Sequence, residues 1–368
     1  MKIAFLFKRD SHFKAVQSTA LRICAQYDCE ATFIGIDSET IYSHESCSVI
    51  YTSKDNLSIL SGYDYVIACL GGYLLNRTVS ILKDTNTKVI SIFPGIVSHY
   101  QLDAFISRLN ADQVWLNSKA DSELYSRICR LLKCPDNSTL YGMSWLDLKQ
   151  STNRSSFTPQ SNKAIIFEQT EILSDSNSRK RFLKVLEKII VLNPKIHFKY
   201  KIRNNSLDYY FLRLRKNLDQ FKNVDVVHDL DHIDIAQASY YLSISSSALI
   251  EGIVYGKSSY IMDEGLLDSD SREFYSNSNI ELTNLDLKNV SMSMNQCWYN
   301  QRVSLPIINV NLLSIHKKSV SVTFNRRSYS LIRLMILKLT FYYPKTAYLF
   351  INKPKIIAIQ KSLEYLSM

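Results

Sequence analysis

The densest group of side chains suited to chemistry is a hydroxyl-rich turn, Ser243-Ile244-Ser245-Ser246-Ser247-Ala248-Leu249-Ile250-Glu251-Gly252. The apolar run Tyr240-Tyr241-Leu242 before it reads as a strand, the residues up to Gly256 as a helix, and Ser259–Met262 as a further strand. Small hydroxyls and backbone N–H groups at the positive end of a helix suit a phosphate. The same letters also fit a plain cap at Ser247 with Glu251 in the first turns. Spacing alone leaves both readings open.

A second group is cationic. Lys199, Lys201 and Arg203 recur at period two, so a strand points all three to one face together with His197. Such a strand end neutralises a phosphate, with Arg offering a two-pronged contact, or it is a solvated face that discourages edge pairing. Asp10 follows the first apolar run directly; it stands at a strand's carboxyl end, or it or Ser11 caps a helix beginning near His12. Gly71-Gly72 and Pro94-Gly95 end strands and permit close backbone approach or simple turns. Asp268-Ser269-Asp270 has the letters of a metal motif but lies in a polar loop, and His is scattered, so no metal is predicted.

These groups need a scaffold, and the chain supplies an alternation of apolar runs and helical stretches. Strands are predicted at 3–7, 32–36, 49–52, 65–70, 89–93 and 114–117, with helices at 12–27, 73–83, 101–109 and 122–132. After a polar stretch rich in Ser, Thr, Asn and Gln the alternation restarts: strands at 164–168, 196–202, 224–228, 240–244 and 259–262, helices at 177–192, 207–221, 233–238 and 247–255. Repeated βα units imply parallel sheets covered on both faces. The expected domains are 1–150 and 163–300, a linker at 151–162, and a C-terminal segment at 301–368. At 368 residues and 46% hydrophobic residues the chain can bury two cores. Seven cysteines without a C-x-x-C pair read as reduced core thiols of a cytosolic protein, and residues 1–20 lack the apolar run of a secretion signal.

The order of these motifs resembles a family of bacterial glycosyltransferases from surface-polysaccharide and nonulosonate gene clusters. Asp10-Ser11-His12-Phe13-Lys14 resembles its Asp-Ser-Tyr-x-Lys opening. Ser91-Ile92-Phe93-Pro94-Gly95-Ile96, then Arg108, Asp112 and Asn117-Ser118, resemble its Pro-Gly, Arg and Asn-Ser landmarks. Gln169, Tyr200-Lys201-Ile202-Arg203 and the Ser-Ser-Ser-Ala-x-x-Glu turn resemble its Gln loop, strand end and serine turn. The resemblance implies an α/β protein of GT-B fold, two Rossmann-like domains facing a central cleft, with a basic C-terminal helical tail. It implies a nucleotide-sugar donor, a glycan or glycolipid acceptor, and no cofactor or metal. Ser245, Ser246 and Ser247 would hold phosphate, Lys201 and Arg203 neutralise it, Glu251 fix the nucleoside, and Gln169 line the donor site. Asp10 would act as base, ahead of Asp112, His99 and His12, with Ser11, Lys14, Gly72, Pro94, Gly95, Asn117 and Ser118 on the acceptor side. Motif layout is similar to that of sialyl- and Kdo-type transferases, so a CMP-linked acidic sugar is expected ahead of a UDP- or GDP-hexose. Their His-Pro pair is missing, since Phe198 follows His197.

The net charge of +10 is concentrated at one end: 12 basic residues and no Asp or Glu lie between Leu287 and Leu363. From Arg326 to Lys355 these cations alternate with Leu, Ile, Phe and Tyr, and Pro344 divides the run before it reaches transmembrane length. Peripheral contact with an anionic membrane, at the cytoplasmic face of a bacterial plasma membrane, is the expectation; closing helices packed on the domains are the alternative. No nucleic-acid module accompanies the charge. Two other classes stay open. One is a non-catalytic assembly subunit with this fold; the other is a sugar-nucleotide epimerase, for which His228 and Asp229 are the nearest hint.

Overall fold

The computed structural model describes residues 1–38, 41–42, 47–146, 160–170, 172–173, 175–203 and 209–318. The chain forms two compact units: Met1–Leu146 with the chain from Asn300 onward, and Asp147–Tyr299.

Unit 1 follows the predicted alternation. Its elements are β1 (Lys2–Phe7), α1 (Asp10–Cys24), β2 (Glu30–Ile36), β3 (Ser48–Thr52), β4 (Tyr65–Ala68), α2 (Gly72–Leu82), β5 (Lys88–Ser91), α3 (Leu102–Ile106), β6 (Gln113–Leu116), α4 (Lys119–Leu132) and β7 (Ser138–Leu140). The strands pair in parallel in the order β3-β2-β1-β4-β5-β6-β7. Ile3, Ala4, Phe5, Leu6 and Phe7 are all fully buried, as expected of a central strand covered on both faces. Order reverses between β1 and β4, which opens a crevice at their carboxyl ends.

Unit 2 repeats the plan with β8 (Gln160–Phe167), α5 (Ser176–Leu192), β9 (His197–Lys201), α6 (Tyr209–Leu218), β10 (Val224–Val227), α7 (His232–Gln237), β11 (Ala238–Ser243), α8 (Ala248–Val254), β12 (Ser258–Ile261), α9 (Ser269–Tyr275) and α10 (Gln296–Arg302). Its parallel sheet runs β10-β9-β8-β11-β12, so the reversal falls between β8 and β11. Gly252 lets α8 lie against the sheet: a Cβ there would sit 2.3 Å from the Ser259 hydroxyl and 2.6 Å from the Tyr241 ring.

Several expectations are corrected. β8 begins at Gln160, so the last three residues assigned to the linker are strand, while 151–159 lie outside the described residues. The cysteines are not mainly core thiols: Cys69 and Cys129 are buried, and the other five are partly or fully exposed. Asp268-Ser269-Asp270 is a helix start, with the Asp268 carboxylate accepting the Ser271 N–H at 2.7 Å. Of the basic C-terminal segment, the part up to Lys318 packs back on unit 1. The Met143 amide donates to the Ser304 carbonyl, Ile307 donates to Tyr141, and Gln26 and Tyr27 donate to the Val310 carbonyl. Lys317 donates to the carbonyls of Leu82 and Thr87, and Lys318 to that of Leu109. The cations from Arg326 onward lie outside the described residues. No described helix is long and apolar enough to cross a membrane.

Candidate functional site

In unit 2 the sequence-chosen residues gather on one sheet edge. Lys201 ends β9 and Arg203 follows it, Gln169 follows β8, and Ser245, Ser246 and Ser247 join β11 to α8, so three adjacent strand ends carry them. The β8 and β11 ends are tied by the Ser243 hydroxyl, which donates to the Phe167 carbonyl at 3.0 Å. The turn is shaped by its own backbone: Leu249 donates to the Ser246 carbonyl and Ile250 and Glu251 to that of Ser247. Tyr275 from α9 donates to the Ser246 carbonyl at 3.2 Å. Ser246, rather than Ser247, carries the capping oxygen, accepting the Ala248 N–H at 3.2 Å, while the Ser247 side chain makes no cap bond. That outcome corrects the plain-cap reading of Ser247. Glu251 stands one turn into α8, and its charge adds to burial in pushing the Tyr241 hydroxyl's pKa up.

The cationic strand end is already engaged. Burial alternates along β9, with Phe198 and Tyr200 inside and His197, Lys199 and Lys201 on the wetter face. Lys199 pairs with Asp234, and His197 Nε2 lies 2.8 Å from Asp225. Lys201 donates to the carbonyl of His228 and stands 3.6 Å from Asp229. These bonds tie β9 to the edge strand β10, to the loop beyond it and to α7. Arg203 is exposed and its backbone amide is held by Glu168 at 2.8 Å.

Glu168 itself escaped the sequence reading. Its side chain is fully buried and takes Arg215 from α6 in two contacts, 3.1 Å from Nε and 2.7 Å from the terminal nitrogen. One carboxylate thereby fixes the β8 end, the residue after β9 and a helix, which sets where Gln169 and Arg203 begin.

In unit 1 every acceptor-side candidate lies on the carboxyl edge, but they spread over four strand ends. Asp10, Ser11 and Lys14 follow β1; Gly72 follows β4; Pro94 and Gly95 follow β5; Asn117 and Ser118 follow β6. Three strand spacings, about 14 Å, separate the first of these from the last. α1 begins at Asp10 itself, and Arg9, with no side-chain cap bond, is its cap residue, so neither Asp10 nor Ser11 plays that part. Ser118 does cap, accepting the Asp121 N–H at 3.1 Å, and Asn117 donates to the Gly95 carbonyl at 3.0 Å. Both are buried ties of the scaffold.

Of the alternative bases, Asp112 is on the wrong edge. It precedes β6, and its carboxylate accepts the amides of Val89 at 2.7 Å and Lys318 at 2.6 Å with Lys317 at 3.5 Å. His99 is oriented by Asp121, 3.2 Å from its Nε2. His12 lies in the first turn of α1, and its Nδ1 is buried without a hydrogen-bond partner. Burial, reinforced by Arg9, Arg108 and Lys8, lowers its pKa to about 4, so the ring is neutral at pH 7. Arg108 is buried beneath the β4–α2 turn. It donates to the carbonyls of Ala104 and Leu70, and its guanidinium lies 3.9 Å from the centre of the Phe93 ring.

Residues 55–302 match a family described as "Putative glycosyltransferase (DUF6716)". The chain belongs to this family. No curated protein matches the sequence. Solved structures similar to this glycosyltransferase share its fold at low identity. A "putative UDP-N-acetylglucosamine 2-epimerase" from Listeria monocytogenes superposes with a TM-score of 0.59 at 10% identity, covering 78% of this chain and 85% of that one. UDP-GlcNAc 2-epimerase from Neisseria meningitidis, bound to UDP-GlcNAc, gives 0.55 at 12%, covering 78% and 89%. Os79 from O. sativa in complex with UDP gives 0.53 at 12%, covering 74% and 83%. The two parallel sheets, each in doubly wound order, are those of a GT-B enzyme. Among the described residues no group of three His, Cys, Asp or Glu side chains is placed to hold a metal ion.

Proposed function

We propose that this glycosyltransferase moves a sugar from a nucleotide donor on unit 2 to a hydroxyl of a glycan or glycolipid on unit 1. Family membership supports the reaction class. The observation that carries the donor site is the convergence of the serine turn, Gln169 and Arg203 on the three strand ends around the β8/β11 reversal, where open α/β sheets take ligands. Ser245, Ser246 and Ser247 would bind the donor phosphate, Arg203 would counter its charge, and Glu251 would hold the ribose. Lys201 would join them by exchanging its bonds to His228 and Asp229. As the acceptor oxygen bonds to the anomeric carbon, the bond to phosphate breaks and a base takes the hydroxyl proton. Asp10 and the neutral His12, both in the first turn of α1, are the candidates for that proton.

The donor is a pyrimidine-nucleotide sugar. UDP is the first choice because structures of this fold are complexes with UDP or UDP-GlcNAc. A CMP-linked nonulosonate or Kdo-like acid is the second, supported by the motif layout. A lipid-linked acceptor of a bacterial surface glycan would place the enzyme at the inner face of the plasma membrane, whose anionic lipids the basic composition of the sequence from Arg326 onward suits.

The test is a thermal-shift panel of CMP, CDP, UDP, GDP and ADP, repeated on Ser246→Ala. A ligand at one hundred times its Kd adds about 2.7 kcal/mol, a clear rise in Tm. Stabilisation by a uridine or cytidine nucleotide, lost in the variant, is the expected outcome; no shift with any of the five removes the donor site. The epimerase reading is favoured by the same neighbours. It predicts conversion of UDP-GlcNAc to its 2-epimer without sugar transfer to an acceptor.

A further inference from the structure

The β1/β4 crevice of unit 1 has a chemistry of its own. β1 ends in Phe7, and the chain passes through Lys8 and Arg9 into α1, whose 15 residues start without a side-chain cap. Beside it β4 leads through Gly71 and Gly72 into α2, 11 residues long, again with no side-chain cap and no acid in its first turn. Two helix N-termini therefore open on one crevice, that of α2 with no carboxylate in its first turn and that of α1 with Asp10 in its own. Gly72 holds φ +53°, and nothing lies within 4 Å of where its Cβ would be, so the space above the turn is open.

Cations surround that space. Arg108 lies below, 4% exposed, with its guanidinium 3.5 Å from the position a Gly71 Cβ would take. Its hydrogen-bond partners are main-chain carbonyls, so its charge meets no carboxylate at bonding distance among the described residues, and its Nε is buried without a partner. The Nδ1 of His12 is a second buried atom without one. Lys8 and Arg9 follow β1 directly and their charges act on His12, and Asp10 and Lys14 complete the charged groups of the first turns of α1. From β4 the neighbouring titratable group is Cys69, a buried thiol whose pKa burial raises. The groups that bear on His12's titration, Arg9, Arg108 and Lys8, are all cations.

We propose that this crevice is an anion subsite, which receives a phosphate or carboxylate of the acceptor among Lys8, Arg9, His12 and Arg108 and thereby makes His12 a stronger base. The proposal rests on the reading that unit 1 binds the acceptor. Burial is the larger cause of the ring's low proton affinity and persists, but an anion seated there cancels the repulsion from Arg9, Arg108 and Lys8 that adds to it, so the ring gains proton affinity when the acceptor is in place. A neutral sugar would leave it a weak base. The acceptor class is thus an acidic glycan, either phosphorylated or carrying a uronic or other sugar acid.

The experiment follows the imidazole of His12 by NMR in the full chain, with the resonance assigned by its loss in His12→Gln. Its pH titration is recorded in sodium chloride, and then at matched ionic strength in sulfate, in glucuronate and in glucose. Sulfate stands for a phosphate group and stays doubly charged across the range. The expected result is a midpoint near pH 4 in chloride that rises by at least one pH unit with sulfate or with glucuronate, and the larger rise identifies the anion class. Lys8→Ala/Arg9→Ala should titrate higher in chloride and lose the response. No rise with either anion overturns the proposal, as does an equal rise in the double variant, which would mark an adventitious ion only. Nucleotide binding by unit 2, measured on the same sample, is untouched by either result, so failure here is distinct from failure of the donor site.

Discussion

His12 shows how a single side chain is tuned by what surrounds it. A ring whose proton affinity is lowered on folding favours the unfolded chain whenever it is protonated. Stability from this group is therefore complete above its ordinary value of 6.5 and is lost as pH falls through that value toward about 4. The shift corresponds to about 3 kcal/mol at most, since each pKa unit is worth about 1.4 kcal/mol. Denaturant midpoints should fall between pH 6.5 and 4 in the natural chain, and His12→Gln should lose that part of the slope. An equal slope in both would place the acid sensitivity elsewhere. Sequence placed His12 behind Asp10 because a carboxylate after a first strand is a conspicuous base, whereas the burial that keeps an imidazole neutral comes from the folded surroundings, and part of the charge that reinforces it comes from Arg108, 96 positions along the chain.

Among the elements, those with a continuous apolar signal were legible. The buried run of β1 and the long amphipathic stretches of α1, α4 and α5 need nothing beyond local pattern. β7, three residues reading Ser-Thr-Leu, has no such pattern and owes its existence to pairing with β6. The strand ends that carry the serine turn, Gln169 and Lys201 were legible because each closes an apolar run. Glu168 was not, because its meaning lies in Arg215, 47 residues away on α6. Removing one partner of a buried ion pair strands the other, typically at 3–5 kcal/mol. Glu168→Ala should cost unit 2 roughly that much in chemical denaturation, and Glu168→Ala/Arg215→Met should recover more than half. Without recovery, the carboxylate's main work would be on the Arg203 amide rather than on the ion pair.

For the molecule as a whole, the chain after Asn300 completes unit 1. Its last described residues are gathered by Asp112, which accepts the amide of Lys318 and faces the ammonium of Lys317. Asp112→Ala should lower the stability of unit 1 by about 3 kcal/mol, since it leaves the amides of Val89 and Lys318 without their acceptor and Lys317 without its counter-charge. Calorimetry should register that loss while nucleotide affinity at the serine turn stays unchanged. A fall in glycosyl transfer without a fall in stability would instead return Asp112 to the chemistry. The basic segment was read from sequence as one block because its charge is continuous. The structure divides it, since Lys317 and Lys318 spend their charge on carbonyls and a carboxylate of unit 1.

That closure also sets a clock on synthesis. Asp112 is followed by 206 residues before Lys318 exists to meet it, and all of unit 2 lies between them. At about 5–20 residues per second, a ribosome takes roughly 10–40 s to cover that distance. Unit 1 is the first to be translated and the last to be finished; through that interval its amino-terminal edge waits uncovered while unit 2 emerges and folds.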